Sequence, residues 1–463
     1  MNTQTVNQKD EIGLSSDSGV VEQITRQAEE GAREDILRLL ETLHPADAAS
    51  VLSHLPFERS KEVFHWLTDK QAGEVLTELD DNFRARLLED HAPEQIASLV
   101  DTLDTDDAAD LLADLPEAKA NRILPDLEDA EEVEELLGYG EETAGGIMTT
   151  GYVTVARNWT ISQATDELRK NSDRVAEALE IFVIDQDERL EGAVSLKCLL
   201  LCPREAIIGD VMTEVVSVHT DVDQEEVARI MERLDLHTLA VVDDEKHLVG
   251  NITIDDVVDV IREEAEEDIQ RMGGLSGDEQ PTDSIWRIAG GRLPWLLGGL
   301  LGAGLAALVV GHFEETLQQA VILAGFIPIV MAMAGNVGIQ SSAVAVQGLA
   351  SGDVWASEIG QRLGKEIAVA VINGLITAFV LALFILVLSV FVTIENPQHL
   401  ALTAGISLIA VILLAAIIGS SVPLALHRFG IDPALATGPF ITTSNDILGV
   451  LIFFMLASTI YLP

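Results

Sequence analysis

Two groups of carboxylates in this 463-residue chain could do chemistry, and they sit in opposite surroundings. Asp446 is the only charged residue between Thr437 and Pro463, a stretch apolar enough to cross a membrane. Placing Asp near the centre of a spanning helix costs about 3 kcal/mol, so such residues usually face a wet cavity or a partner and by default mark a cation pathway. The bland alternative is a carboxylate near the membrane surface that caps or hydrogen-bonds within Thr442-Thr443-Ser444-Asn445-Asp446. The second group, Asp104, Asp106, Asp107 and Asp110, falls in a short helical repeat, where Asp106 and Asp110 share a face at i and i+4. Like charges at that spacing repel, so either water solvates them or a bound cation offsets them.

The net charge of −48 conceals two different halves. Only five of the 28 basic and eight of the 76 acidic residues lie from Trp286 onward, which leaves 23 basic against 68 acidic residues, a net of −45, before it. A polyanion of this kind is a poor partner for nucleic acid or an anionic membrane surface and a good one for a multivalent cation, although solvated acidic helices read similarly. The N-terminus, MNTQTVNQKDEIGLSSDSG, has no apolar core of a signal peptide, so the acidic half is expected to stay cytosolic. Cys198 and Cys202 are the only cysteines; their C-x3-C spacing fits neither a redox pair nor a complete zinc site, and they are expected to be reduced structural thiols.

The elements that must position these carboxylates repeat. Ala48-x2-Val51-Leu52 recurs as Ala72-x2-Val75-Leu76, Ile96-x2-Leu99-Val100 and Ala108-x2-Leu111-Leu112, a pattern of stacked short helices in an all-α superhelix. From Gly145 an α/β repeat follows. Met148-Thr149 is echoed by Met212-Thr213, Ile181-Phe182-Val183-Ile184-Asp185 by Leu239-Ala240-Val241-Val242-Asp243, and Gly192-x2-Ser195-Leu196 by Gly250-x2-Thr253-Ile254. These copies resemble a tandem pair of cystathionine β-synthase (CBS) modules, which in other proteins are similar to adenosine-nucleotide sensors. The family's ribose-holding Asp, three residues after the Ser/Thr, is present as Asp256 in the second copy but replaced by Cys198 in the first. An acidic helix, Asp255 to Arg271, and a Gly/Ser/Pro-rich linker precede the membrane half.

Five apolar runs follow, at about Trp295–Gly311, Ala320–Val346, Ile367–Ile394, Leu400–Leu426 and Thr437–Leu462. Each approaches the ~20 residues that a span needs, the first only if it begins before Pro294. Arg287, Arg292, Arg362, Lys365 and Arg428 fall on one side of the resulting topology. By the positive-inside rule the N-terminus is cytoplasmic and the C-terminus external. Gly298-x3-Gly302 marks a close helix contact in the first span. Gly335-Asn336-Val337-Gly338-Ile339-Gln340-Ser341-Ser342 sets amides and hydroxyls at membrane depth, either as interhelical hydrogen bonds or as neutral oxygen ligands.

The order of acidic helical repeat, CBS pair, acidic helix and five spans, with G-N-x-G-x-Q-S in the second and Asp446 in the fifth, resembles the MgtE-type magnesium transporters. Asp432-Pro433-Ala434-Leu435 and Ala144-Gly145-Gly146-Ile147-Met148-Thr149 belong to the same likeness. It implies a homodimeric Mg2+ channel of the cell (inner) membrane whose cytosolic domains bind Mg2+ and close the pore. Asp446 and its symmetry mate would then flank one hydrated ion; two such carboxylates about 8 Å apart repel by roughly 2 kcal/mol at an effective dielectric of 20, a penalty that a dication removes. The resemblance further implies metal-binding roles for Asp106, Asp110, Gly146 (through its carbonyl), Glu225, Asp235, Asp256, Asp259, Glu267 and Asp268. It also implies a pore lining of Gly335, Asn336, Gly338 and Gln340, and ATP at the CBS pair through Asp256.

The expected organisation is a disordered tail at 1–21, an acidic helical domain at 22–140, CBS modules at 141–207 and 208–262, a connecting helix and linker at 263–285, and a transmembrane domain at 286–463. The multidomain membrane protein so described has membrane lipid, Mg2+ and a second copy of itself as partners. Two rivals remain: transport of Co2+ or Mn2+, and a CBS-based nucleotide-responsive receptor. An enzyme is disfavoured, since no nucleophile, base or phosphate-binding loop accompanies Asp446.

Overall fold

The computed structural model describes residue 24 and residues 33–171, 179–277, 279–280, 283–350 and 359–462; the tail expected at 1–21 lies outside them. The chain divides into two compact units, Met1–Arg262 and Glu263–Pro463.

Among its described residues the first unit begins with short helices: α1 (Arg33–Leu40), α2 (Pro45–His54), α3 (Phe57–Phe64), α4 (Asp69–Thr77), α5 (Asp81–Leu88), α6 (Pro93–Val100), α7 (Thr105–Ala113), α8 (Glu117–Ile123) and α9 (Ala130–Leu136). Their starts are written in the chain. Thr68 and Gln71 form a reciprocal capping box, the Asp80 carboxylate accepts from the Phe83 amide at 3.0 Å, and Pro45 and Pro93 take first-turn positions where no amide is needed. The repeated apolar triplets are buried in one core, with α2 against α4, α4 against α6 and α6 against α8, so the 24-residue period is the step of a helical stack. One cation enters this core. Arg84 is 8% exposed; its Nε donates to Asp114 Oδ2 and its Nη2 to Asp81 Oδ1, each at 3.0 Å.

Two three-stranded sheets follow in the same unit. In the first, β1 (Thr154–Ala156) runs parallel to β2 (Glu180–Ile184), which pairs antiparallel with β3 (Leu190–Ser195). In the second, β4 (Ser217–His219), β5 (Thr238–Val242) and β6 (Leu248–Thr253) repeat that order, with a register shift at the matching place. The turns match as well: Asp185 and Asp243 each accept two backbone amides, and Glu188 and Lys246 take the same left-handed conformation. The helices of this region are α10 (Ile161–Lys170), α11 (Leu196–Leu201), α12 (Ile208–Val211) and α13 (Gln224–Leu234). One expectation is corrected here. Cys198 and Cys202 are joined as a disulfide rather than standing as reduced thiols, because the four-residue spacing across the turn of α11 brings their Cα atoms to 5.2 Å, within disulfide reach.

The acidic helix α14 (Ile254–Met272) is continuous, and among the described residues the second unit then supplies five helices long and apolar enough to cross a membrane. Their cores are α15 (Ile285–His312), α17 (Ile327–Ala350), α18 (Ile359–Phe391), α19 (Pro397–Arg428) and α20 (Thr442–Leu456), with the short helix α16 (Glu314–Gln319) after α15. The first span starts ten residues before Trp295 because Pro294 is taken into the helix, which gives α15 28 residues, ample for crossing. Of the small-residue motif, Gly302 packs directly on Thr443 of α20, whereas Gly298 and Gly299 meet nothing.

Replacing Arg84 with Ala leaves Asp114 partly buried without its counter-charge. The expected outcome is a loss of about 3 kcal/mol, read as a lower melting temperature of the helical unit by circular dichroism.

Candidate cation sites

In the first unit, carboxylates gather around the start of α7. Asp106 is only 9% exposed, and its Oδ1 is buried with no hydrogen-bond partner. Burial, then the charge of Asp256, then those of Asp107 and Asp104 push its carboxyl well above the usual range. Asp107 is pushed up to about 7 by burial and by the same Asp256, and Asp256 to about 6 by burial and Asp255, against hydrogen bonds from Thr253. Anions kept together in this way, one with an oxygen that nothing in the chain satisfies, fit a cation.

The local sequence explains the placing. Thr105 Oγ1 accepts from the Thr150 amide and hydroxyl, both at 3.0 Å, which fixes the N-terminus of α7 on the loop before β1. At the start of α14, Asp256 Oδ2 accepts from the Thr253 hydroxyl at 2.6 Å and its amide at 3.3 Å, so the carboxylate is oriented by a cap. Gly146 sits where a Cβ would collide with the carbonyls of Gly140 and Glu141.

The remaining expected carboxylates are spread out. Asp110 is exposed, and its charge acts on Arg84. Glu225 and Asp235 are both exposed and lie at opposite ends of α13, about 15 Å apart along its axis. Asp259 is exposed and ion-paired to Arg262 at 2.9 Å. In the second unit, Arg271 pairs with both Glu267 and Asp432, while Asp268 is pushed up to about 6 by burial and then by Asp432 and Glu264. Asp432 also accepts from the Ala434 amide at 2.7 Å. Among the described residues no three His, Cys, Asp or Glu side chains form a ready-made metal cage. A magnesium ion that keeps several of its waters does not demand one.

Asp446 is half-buried on α20, on the Gly438 side of the middle of the span Gly438–Tyr461. Three helices clasp α20. Gly302 of α15 meets Thr443, Gly338 of α17 meets Ile441 and Asn445, and Val411 of α19 meets Gly449. The polar segment Gly335–Ser342 is uninterrupted helix, so its glycines serve close packing rather than an opened backbone. Gly335 and Gly338 are buried toward α20, whereas Asn336 and Gln340, one turn apart, stand exposed on the other side of α17.

Sequence reasoning underrated Asp107, left Arg271 without a role and treated Asn445 only as a possible local hydrogen-bonder. Asp107 had a signal, its place in the run Asp104–Asp110. The pairing of Arg271 with Asp432 spans 161 residues and had none.

Among the described residues, five helices fit to span a membrane, with a lone acid in the last, together with an acidic unit of helical repeats and paired α/β modules, define a multi-pass membrane protein built to handle cations. The family profiles agree: residues 327–456 match the MgtE divalent cation transporters, 43–142 the MgtE intracellular N domain, and 144–203 and 208–263 CBS domains. The chain belongs to the MgtE family. It is 36% identical over 335 residues, 72% of each chain, to the magnesium transporter MgtE of Enterococcus faecalis. To the magnesium transporter MgtE of Thermus thermophilus it is 32% identical, over 93% of this chain and 96% of that one. A crystal structure of the cytosolic domain of the Mg2+ channel MgtE in complex with ATP superposes with a TM-score of 0.50 at 34% identity, covering 52% of this chain and 99% of that one.

The raised carboxyls make a pH prediction. The folded unit holds protons that the unfolded chain releases near pH 4, so metal-free stability falls as pH climbs from about 4 to about 7, where Asp107 titrates. Thermal melting should show Mg2+ stabilising most above pH 7, where the carboxylates are ionised, and Asp107→Asn should flatten both dependences.

Proposed function

We propose that this chain is a Mg2+-selective channel that takes magnesium up across the cell membrane as a homodimer, with its N-terminus cytoplasmic and its C-terminus external. The observation that carries the reading is Asp446, a lone half-buried carboxylate in a helix clasped by three others. The names of the relatives supply the ion. Paired across a two-fold axis, two such carboxylates provide two charges for one dication that keeps its inner waters. Asn336 and Gln340 offer neutral oxygens on an exposed face of α17 that suits a pore lining or a partner helix.

Regulation by internal Mg2+ is part of the proposal. Bare, the carboxylates Asp106, Asp107 and Asp256 repel; a bound cation lowers that energy and favours the compact form of the acidic unit, which we assign to the closed pore. Asp110, Glu225, Asp235 and Asp259 are further proposed ligands in the first unit, and Glu267 and Asp268 in the second. ATP is a second ligand, favoured by the ATP complex of the related cytosolic domain, with Asp256 as its contact in the second module. Because Asp256 also acts on Asp106, nucleotide and cation draw on one carboxylate.

The decisive experiment is Mg2+ uptake into liposomes by wild type, Asp446→Ala and Asp446→Asn. Both variants are expected to fall to the protein-free background, and unchanged flux in them removes the pore assignment. Millimolar Mg2+ is expected to protect the acidic unit from protease, less so after Asp259→Asn and Asp268→Asn; equal digestion with and without Mg2+ counts against the gating scheme.

A further inference from the structure

Three spanning helices converge on one backbone position, Gly338. From α19, Gly419 approaches so closely that a Cβ on it would meet the Gly338 carbonyl at 2.5 Å. From α20, the Asn445 amide fills the space that a Cβ on Gly338 would need. Asn445 is 2% exposed, and its Nδ2 donates to the Ala334 carbonyl at 3.3 Å, one helical turn before Gly338. Its Oδ1 is buried and has no hydrogen-bond partner.

An apolar side chain of similar size would fill this notch without leaving an amide oxygen unsatisfied, so packing alone is a poor reason for an Asn here. A side-chain amide bonded to a neighbouring helix's carbonyl does what an apolar contact cannot: it is directional, and it fixes both rotation and height of one helix against the other. The helix it fixes is the one that carries Asp446, and Asp446 is the next residue. Successive residues project about 100° apart around a helix, so the direction of the carboxylate follows from where the Asn445 amide is held.

We infer that Asn445, seated in the notch at Gly338, is the positioning residue for Asp446, setting the rotation and depth at which that carboxylate meets a hydrated divalent cation. The inference rests on the proposed ion pathway through Asp446. It concerns how well the site binds rather than whether the bundle assembles, because Gly302 with Thr443 and Gly449 with Val411 hold α20 independently.

The test uses the full chain in liposomes. Mg2+ flux is measured against Mg2+ concentration, and thermal melting in detergent, for Asn445→Ala, Asn445→Leu, Gly338→Ala, the pair Gly338→Ala with Asn445→Ala, and Asp446→Asn. Both Asn445 variants are expected to raise the half-saturating Mg2+ concentration about tenfold with a smaller change in maximal flux. Gly338→Ala should lower the melting temperature, since its methyl group meets the Asn445 amide. The pair should recover part of the melting temperature, Ile441 still crowding the methyl group, while keeping the raised half-saturation. Half-saturation that stays at the wild-type value in the Asn445 variants, or that recovers together with melting in the pair, overturns the inference while Asp446→Asn still abolishes flux. If Asp446→Asn transports as wild type does, the pathway itself is wrong, and the positioning role falls with it.

Discussion

Repulsion between carboxylates that the fold keeps partly out of water is the interaction on which both units depend. Charges crowded on a surface are screened by water and salt and shape little. Around Asp106 the situation differs, because one carboxylate is buried and Asp107 and Asp256 are held close enough for each to resist the others' ionisation. The fold tolerates this because the bonds of Thr105 to Thr150 tether α7 and those from Thr253 hold the Asp256 carboxylate in place and offset part of its cost. A structure that holds like charges together by other means favours whatever cancels them, which is the ground for the cation site proposed here.

In the membrane unit the last span carries a single acid, Asp446. The glycine contacts around α20, Gly302 with Thr443, Gly338 with Asn445 and Gly449 with Val411, are close approaches of uncharged groups. Helices in lipid gain nothing from excluding water from one another, so small residues and directional hydrogen bonds must set their positions. Gly302, Gly338 and Asn445 are such residues, and each bears on the helix of Asp446. The ion pairs of Arg271 with Glu267 and Asp432 show the opposite solution at the end of α14, where a tethered cation is supplied by the chain itself.

Much of the architecture was legible in the chain because it repeats. The apolar triplets at 24-residue spacing are core in every copy, and the paired α/β segments give sheets of identical order, down to the Asp185 and Asp243 turns. The five spans were legible from hydropathy, and the first begins before Pro294, as its length required. The cysteines were misread because spacing was compared with known motifs instead of with the geometry of a helical turn.

By itself, then, the sequence determined which segments are helices, strands and spans, and that Asp446 and the Asp104–Asp110 run are the acids in unusual surroundings. Periodicity, capping and hydropathy are local properties, and they survive without knowledge of what lies beside each segment. Only the tertiary structure decided which acids meet. The charge of Asp256 acts on Asp106 across 150 residues of chain, and that of Asp110, one turn away, acts on Arg84. Likewise Gly338 and Asn445, each unremarkable in its own helix, become a joint only when two spans pack. Burial and electrostatic coupling depend on distance in space, and sequence separation carries no record of it.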